Sequence, residues 1–329
     1  MHVGKRYHLF EFLLWTRRDI YILLLLSIVP TCLFQALGYK WIAIPWVPVA
    51  LVGTAAAFIV GFKNTQSYNR VWEARQIWGS IVNNSRSFGM MVRDFIKADK
   101  EVHKELIYRH LAWLTCLRFQ LRESKIWETA NSKSHNKEYR LHYNVLEWET
   151  KLDDELLKFI SAKELGLIQT RKNKASQLLY IQSQRIKELK DKKKIDPLEF
   201  LELNKKITDL FEQQGKSERI KNFPYPRQFA SINQFFIWLF VFLLPFGMLN
   251  EFQKLGENFV WLTIPFSILV SWVFTSMEKV GEATENPFEG GANDVPITSL
   301  SRVIEIDLRE LLNEKDIPAP LAPVNNILM

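Results

Sequence analysis

The chain has 329 residues, of which 24% are charged, a net charge of +7, and an excess of aromatic residues that includes 23 Phe and 11 Trp. This composition excludes a disordered chain, a collagen-like repeat and a small disulfide scaffold. The mean hydropathy of −0.09 averages two extremes, because apolar residues collect towards both ends while Lys, Arg, Asp and Glu fill the middle, as in a membrane protein with a large aqueous part.

Four uncharged segments, 20–39, 41–62, 228–250 and 258–277, each provide about the 20 residues a helix needs to cross a bilayer. Pro30, Pro45, Pro48, Pro245 and Pro265 fall inside them and predict kinks in a bundle. Lys5, Arg6, Arg17 and Arg18 precede the first segment, and Lys63, Arg70 and Arg75 follow the second. The positive-inside bias then puts both termini and the long middle in the cytoplasm of a multi-pass inner (plasma) membrane protein, with the loops 38–40 and 251–257 outside. The expected organisation is 1–62 as an N-terminal segment with two spans, 63–227 as a cytosolic helical region, 228–277 as two further spans, and 278–329 as a cytosolic C-terminal segment.

The middle reads as helix, with apolar residues at three-to-four spacing through 70–95, 110–121 and 146–167, and a polar loop at 123–143. Asp196, Pro197 and Glu199 form a helix start with N-cap, first-position proline and capping box. An apolar stripe of Phe200, Leu203, Ile207, Leu210 and Phe211 follows, and Phe223-Pro224-Tyr225-Pro226 ends the helix. No strand pattern or internal repeat occurs, so the predicted fold class is all-α.

The basic residues alternate with acidic ones, as in 187–194, and no zinc spacing or RNA-binding motif accompanies them, so nucleic acid is not a predicted partner. Cys32 lies in an apolar run and Cys116 in the charged middle, which reads as two unpaired thiols in a reducing compartment. There is no phosphate-cradling glycine loop, nucleophile elbow, HExxH or CxxC. No catalytic residue, cofactor or metal site is therefore predicted, and the chain is not read as an enzyme. His2, His8, His103, His110, His135 and His142 are scattered and read as surface residues, and Glu278, Glu282 and Glu285 as a solvated helix face.

The second span carries Thr54, Phe58 and Phe62 at i, i+4 and i+8, a single helix face about 12 Å long. Gly53, Ala55, Ala56, Ala57 and Gly61 permit close helix approach on the other faces. Copies of this helix around an axis would project two Phe rings into an apolar constriction that gates by dewetting, and the positively polarised ring edges would weakly favour anions. The same spacing also fits Phe packed against other helices or lipid.

The residues that follow, Asn64, Ser67, Tyr68, Arg70, Trp72, Glu73, Arg75, Trp78 and Gly79, then Asn83-Asn84-Ser85-Arg86, and after the fourth span Asn286, Pro287 and Phe288 with Ile304 to Leu308, strongly resemble the bestrophin family, particularly its bacterial branch. The resemblance implies a homopentameric ion channel with one central pore in the lipid bilayer. It also implies a pore neck of Thr54, Phe58 and Phe62, wetter at Thr54, where the family usually has Ile. The family's second constriction, an apolar residue just after an Asp-Pro pair, falls at Leu198, with Leu201 as the alternative. Animal members bind Ca²⁺ through an acidic cluster after Asn-Pro-Phe. Here that stretch is Glu289-Gly290-Gly291-Ala292-Asn293-Asp294, too few carboxylates for a Ca²⁺ shell of six to eight oxygens, so no Ca²⁺ gating is implied. The permeating ion is read as chloride or another small anion. A monovalent cation (Na⁺) channel of the same fold is the alternative, and a non-conducting membrane scaffold is the rival of another class. A lipid or prenyl enzyme would need an aspartate-rich metal-diphosphate motif, which the sequence lacks.

Overall fold

In the computed structural model, which describes residues 1–130 and 132–329, the first apolar run forms α1 (Leu9–Gln35). The helix ends short of the expected Tyr39, and the chain turns through Gly38 at φ 74° into a 3-10 turn, Lys40–Ile42. Helix α2 (Trp46–Phe95) follows, 50 residues without a break and about 75 Å long at 1.5 Å per residue. After α3 (Lys100–Arg122) come short pieces, α4 (Ser134–Arg140), α5 (Leu146–Glu149), α6 (Leu152–Leu156) and α7 (Ala162–Gln169), and then α8 (Lys174–Asp191) and α9 (Pro197–Asn222). The chain closes with α10 (Arg227–Gln253), a 3-10 turn Glu257–Leu262, α11 (Thr263–Thr284) and α12 (Ile297–Leu311). No strand occurs among the described residues, so the all-α class holds.

Among the described residues, three helices are long and apolar enough to cross a membrane: α2, α10, and α11 with its preceding turn. α1 is not among them, because its apolar part starts only after Arg17, Arg18 and Asp19 and its helix stops at Gln35. Of the five prolines, only Pro30 and Pro245 are internal to a helix. Pro48 and Pro265 sit in first turns, where the missing N–H has no intrahelical partner to lose.

Two further expectations change. The polar stretch 123–143 contains α4. The helix expected over 146–167 is broken: the Thr150 hydroxyl donates to the Leu146 carbonyl at 2.9 Å where α5 ends, and Ser161 caps α7 by accepting from the Glu164 N–H at 3.2 Å. The start of α9 is as predicted, with Pro197 at its first position and the Asp196 N–H donating to Glu199 at 3.1 Å.

Two hydrophobic cores hang on α2. Val49, Ala56 and Val60 pack with Leu23 of α1 and with Ile237, Phe240, Val241 and Leu244 of α10. From Ala74 onwards the same helix enters a larger core with Trp78, Phe88, Trp113, Leu203, Phe288 and Leu308. Position 62/63, proposed above as an organisational boundary, lies inside this one continuous helix. Of the small residues on α2, Gly53 and Ala56 serve close packing, whereas Gly61 has open space around its Cα and Ala55 and Ala57 are exposed.

His110 is not a surface residue. It is 2% exposed between the rings of Phe88 and Trp113, at centroid distances of 5.1 Å to each, and its Nε2 has no partner among the described residues. Burial lowers its pKa to about 3.

Two predictions follow from this packing. A Cβ at Gly53 would lie 2.5 Å from the Phe240 ring. Gly53→Ala therefore lowers the midpoint of thermal unfolding in mild detergent by several degrees, and Phe240→Leu in the same chain restores part of it. For His110 the folded pKa lies below the unfolded value of 6.5, so the unfolded chain binds more protons and stability falls as pH drops from 6.5 towards 3. At about 1.4 kcal/mol per unit, this group alone removes about 2 kcal/mol at pH 5. Unfolding midpoints at pH 7 and pH 5 should show a smaller loss for His110→Leu than for the parent.

Candidate functional site

Thr54, Phe58 and Phe62 lie on one face of α2, and that face is bare in the single chain. Phe58 is 77% exposed and Phe62 49%, while Gly53, Ala56, Val60 and Lys63 on the other side are buried. The same face continues through Thr65, Asn69, Trp72 and Gln76, all exposed, over about 33 Å from Thr54. It carries no Asp, Glu, Lys or Arg over that length. Thr54 spends its hydroxyl proton on the Ala50 carbonyl at 2.8 Å, which leaves its oxygen as an acceptor only. Leu198 and Leu201, in the first turns of α9, are 78% and 59% exposed, and neither is packed away.

The motif residues after the second apolar run have a different task, joining α2 to its neighbours. Asn64 donates to the Met277 carbonyl of α11 at 3.1 Å, an approach that Gly281 permits, since a Cβ there would lie 2.2 Å from Asn64 Oδ1. Arg70 donates to the Glu285 carbonyl at 2.9 Å and to the Phe223 and Ile220 carbonyls at 2.8 and 3.3 Å, closing the C-terminal end of α9 with a cation. Glu73 pairs with Arg219 at 2.5 Å. Ser67 and Trp78 are fully buried. Tyr68 and Trp72 stack at 6.2 Å and stay exposed, as does Gly79. Arg75 reaches the Met1 sulfur at 3.6 Å.

The acidic residues at the C-terminal end of α11 are not a solvated face. Glu278 accepts from the Lys63 ammonium at 2.7 Å and from Asn233. Glu285, 2% exposed, lies 3.6 Å from Lys63 and 3.1 Å from Arg227. Glu282 pairs with Lys133 at 2.9 Å. Lys63 is itself 3% exposed, so one cation is enclosed with two carboxylates where α2, α10 and α11 meet, with the exposed Arg227 closing their outer edge. A buried charge deprived of its partner costs about 3–5 kcal/mol, which makes this cluster a register lock. Lys63 shows in the sequence only as a flanking positive residue, because its partner Glu278 lies 215 positions away.

Asn286, Pro287 and Phe288 open the loop between α11 and α12. Phe288 is fully buried at φ 71°, and both amide atoms of Asn286 are buried without a partner among the described residues. Asp294 holds the loop: it accepts from the N–H groups of Phe288, Gly290 and Val295 at 2.8, 2.7 and 2.6 Å and from Arg122 at 2.6 Å. Glu289 accepts from the Thr129 N–H at 2.9 Å, its hydroxyl at 3.1 Å and the Ala130 N–H at 3.4 Å. Burial, helped by the negative charges of Asp294 and Glu128, raises its pKa to about 8 against those hydrogen bonds. Among the described residues no group of three or more His, Cys, Asp or Glu is placed to hold a metal ion.

A family model described as Bacterial/Fungal Bestrophin protein matches residues 14–310. A protein of Escherichia coli K12 named voltage-dependent anion channel-forming protein YneE is 26% identical over 290 residues, 88% of this chain and 83% of that one. A Mesorhizobium japonicum protein, also named voltage-dependent anion channel-forming, is 25% identical over 267 residues, 81% of this chain and 75% of its own. A crystal structure of a bacterial bestrophin homologue from Klebsiella pneumoniae superposes with a TM-score of 0.76 at 23% identity, covering 90% of this chain and 98% of that one. With 14–310 matched end to end and the helical arrangement shared, this chain belongs to the bacterial/fungal bestrophin family.

Proposed function

We propose that the chain is one subunit of a homopentameric ion channel whose central pore is lined by the bare face of α2. The observation that carries this reading is the uncharged exposed stripe from Thr54 to Gln76. Lipid can cover Phe58 and Phe62, but the stripe runs on, on the same rigid helix, past the buried Lys63 and onto the part of α2 whose opposite face packs in the larger core with Ala74 and Trp78. A face that stays uncharged in both settings fits a pore wall. Thr54, Phe58 and Phe62 then form the neck, whose apolar rings close by dewetting, and Leu198, with Leu201 one turn on, forms the second aperture. The reading has α1 completing four spans, both termini and the segments 63–227 and 278–329 in the cytoplasm, and the assembly in the inner membrane, in line with the positive residues flanking α1 and α2.

Conduction of chloride and other small anions is supported by the names of the relatives and by the Phe ring edges. A monovalent cation channel is the second reading, favoured by the Thr54 hydroxyl, which offers a passing ion only an acceptor oxygen. Independence from Ca²⁺ is supported by the loop chemistry. Asp294 is taken by three backbone N–H groups and Arg122, and Glu289 by Thr129 and Ala130, which leaves little of the six-to-eight-oxygen shell Ca²⁺ requires.

The test is current through purified protein in a planar bilayer under asymmetric NaCl. Reversal near the Cl⁻ potential is the expected outcome, and reversal near the Na⁺ potential selects the second reading. Phe58→Ala widens the neck and raises single-channel conductance, and silence of both parent and variant overturns the channel reading. Cross-linking in mild detergent should stop at five subunits, and a ladder ending at two contradicts the pore.

A further inference from the structure

A cavity of about 280 Å³ lies beside the start of α1, away from the bare face of α2. Its walls are aromatic: Tyr7, Phe12 and Trp15 from the segment leading into α1 and its first turns, Tyr139 from α4, and Tyr143 just after it. The rings stand at an angle to one another rather than stacking. Tyr7 and Tyr139 are 6.4 Å apart at 54°, Tyr139 and Tyr143 are 6.4 Å apart at 60°, and Phe12 and Trp15 are 5.8 Å apart at 44°. Their polar tips are tied down. The Tyr7 hydroxyl donates to Asn293 at 2.9 Å, the Tyr143 hydroxyl to the Gly290 carbonyl at 3.0 Å, and the Trp15 Nε1 to Asn136 at 3.4 Å. The rings are therefore fixed as walls, and their hydroxyls do not supply a polar lining.

The one deeply buried carboxyl on this cavity is Glu289, 2% exposed. Its acidic neighbours each have a cation, Asp294 with Arg122 at 2.6 Å and Glu128 with Lys221. No Lys or Arg pairs with Glu289 among the described residues. A buried carboxyl without a countercharge, which gives up its proton when a cation sits beside it, on an aromatic-walled space just below the roughly 300–1,000 Å³ range of ligand sites, is complementary to a soft, weakly hydrated cation. A metal ion would want more oxygens, and an anion would meet Glu289. Aromatic cages with a carboxylate are the known chemical solution for alkylated ammonium groups, whose methyls pack on ring faces while the charge is drawn to the ring quadrupoles.

We propose that this cavity binds a small organic ammonium ion of about the size of choline, with its alkyl groups against Tyr7, Trp15, Tyr139 and Tyr143 and its charge opposed by the Glu289 carboxylate. The ammonium belongs either to a free solute or to the headgroup of a phospholipid reaching in beside Phe12 and Trp15. Either source uses the same recognition chemistry.

Calorimetric titration of the full-length protein in mild detergent with choline chloride tests it. Saturable binding to the parent is expected, weakened about tenfold for the neutral isostere 3,3-dimethylbutan-1-ol, which has the same shape without the charge. Glu289→Gln, which keeps the shape of the side chain and one acceptor oxygen for the Thr129 and Ala130 N–H groups, should lose about the same factor for choline and nothing for the isostere. Trp15→Leu, on the α1 side of the lining, provides a second variant that leaves the buried loop untouched, and it should weaken choline more than the isostere. Equal binding of choline and isostere, choline binding undiminished in Glu289→Gln, or no choline binding by the parent each overturn the proposal. Repeating the titration in nanodiscs separates the sources: choline weakened by phosphatidylcholine relative to phosphatidylglycerol alone assigns the site to a lipid headgroup, and unchanged affinity assigns it to a free cation. The titration reads binding without ion flow, so its outcome is independent of conduction.

Discussion

A single buried ammonium, that of Lys63, sits where α2 passes from one hydrophobic core to the other. It cannot remain there unpaired, so Glu278 and Glu285 must come to it, and with them α11, Asn233 of α10 and Arg227. That requirement fixes the rotation of α2 about its own axis. With Lys63 turned inward, the residues 100–180° away around the helix, Phe58, Phe62, Thr65 and Asn69 among them, turn outward together. The bare face is thus a consequence of electrostatics as much as of hydrophobic patterning.

Rigidity carries that choice along the whole helix. No proline follows the first turn of α2, and a helix of this length bends only gently. A rotation set at Lys63 is therefore transmitted to Thr54 in one direction and Gln76 in the other. The packing of Gly53 under Phe240 and of Asn64 over Gly281 allows no alternative register, since a shift by one residue would drive side-chain atoms into the neighbouring helix. Arg70 extends the constraint to α9 by holding its last carbonyls, which in turn fixes where Leu198 and Leu201 stand relative to α2.

The long elements of this fold were legible from periodicity and punctuation. Asp196, Pro197 and Glu199 announce the start of α9, and Phe223-Pro224-Tyr225-Pro226 its end, because capping and proline chemistry are local. The Thr54, Phe58, Phe62 face was legible for the same reason. Its continuation was not, since Thr65, Asn69 and Gln76 have no hydrophobic signal and what unites them is only exposure on a shared helix face. The interior role of Glu278, Glu285 and His110 was hidden more deeply. Polar side chains read as solvated until a partner is known, and the pairs that bury Glu278 and Glu285 span 215 and 58 positions. The residues 123–143 look like loop by composition, yet tertiary packing against α1 organises a helix there, with Glu138 taking both Arg17 and Arg18.

The loop after Asn286-Pro287-Phe288 is ordered from within by one carboxylate, that of Asp294. Gly290 and Gly291 contribute no side-chain oxygen, and the carboxylates of Glu289 and Asp294 are engaged by separate donors. Asp294 turns inward to accept three backbone N–H groups and pair with Arg122, which is itself completely buried, so the loop is closed by its own hydrogen bonds. Glu289 then cannot share that cation and is left with neutral donors alone. The hydrogen bonds that close the loop thus leave one buried carboxyl, that of Glu289, facing a cage of aromatic rings.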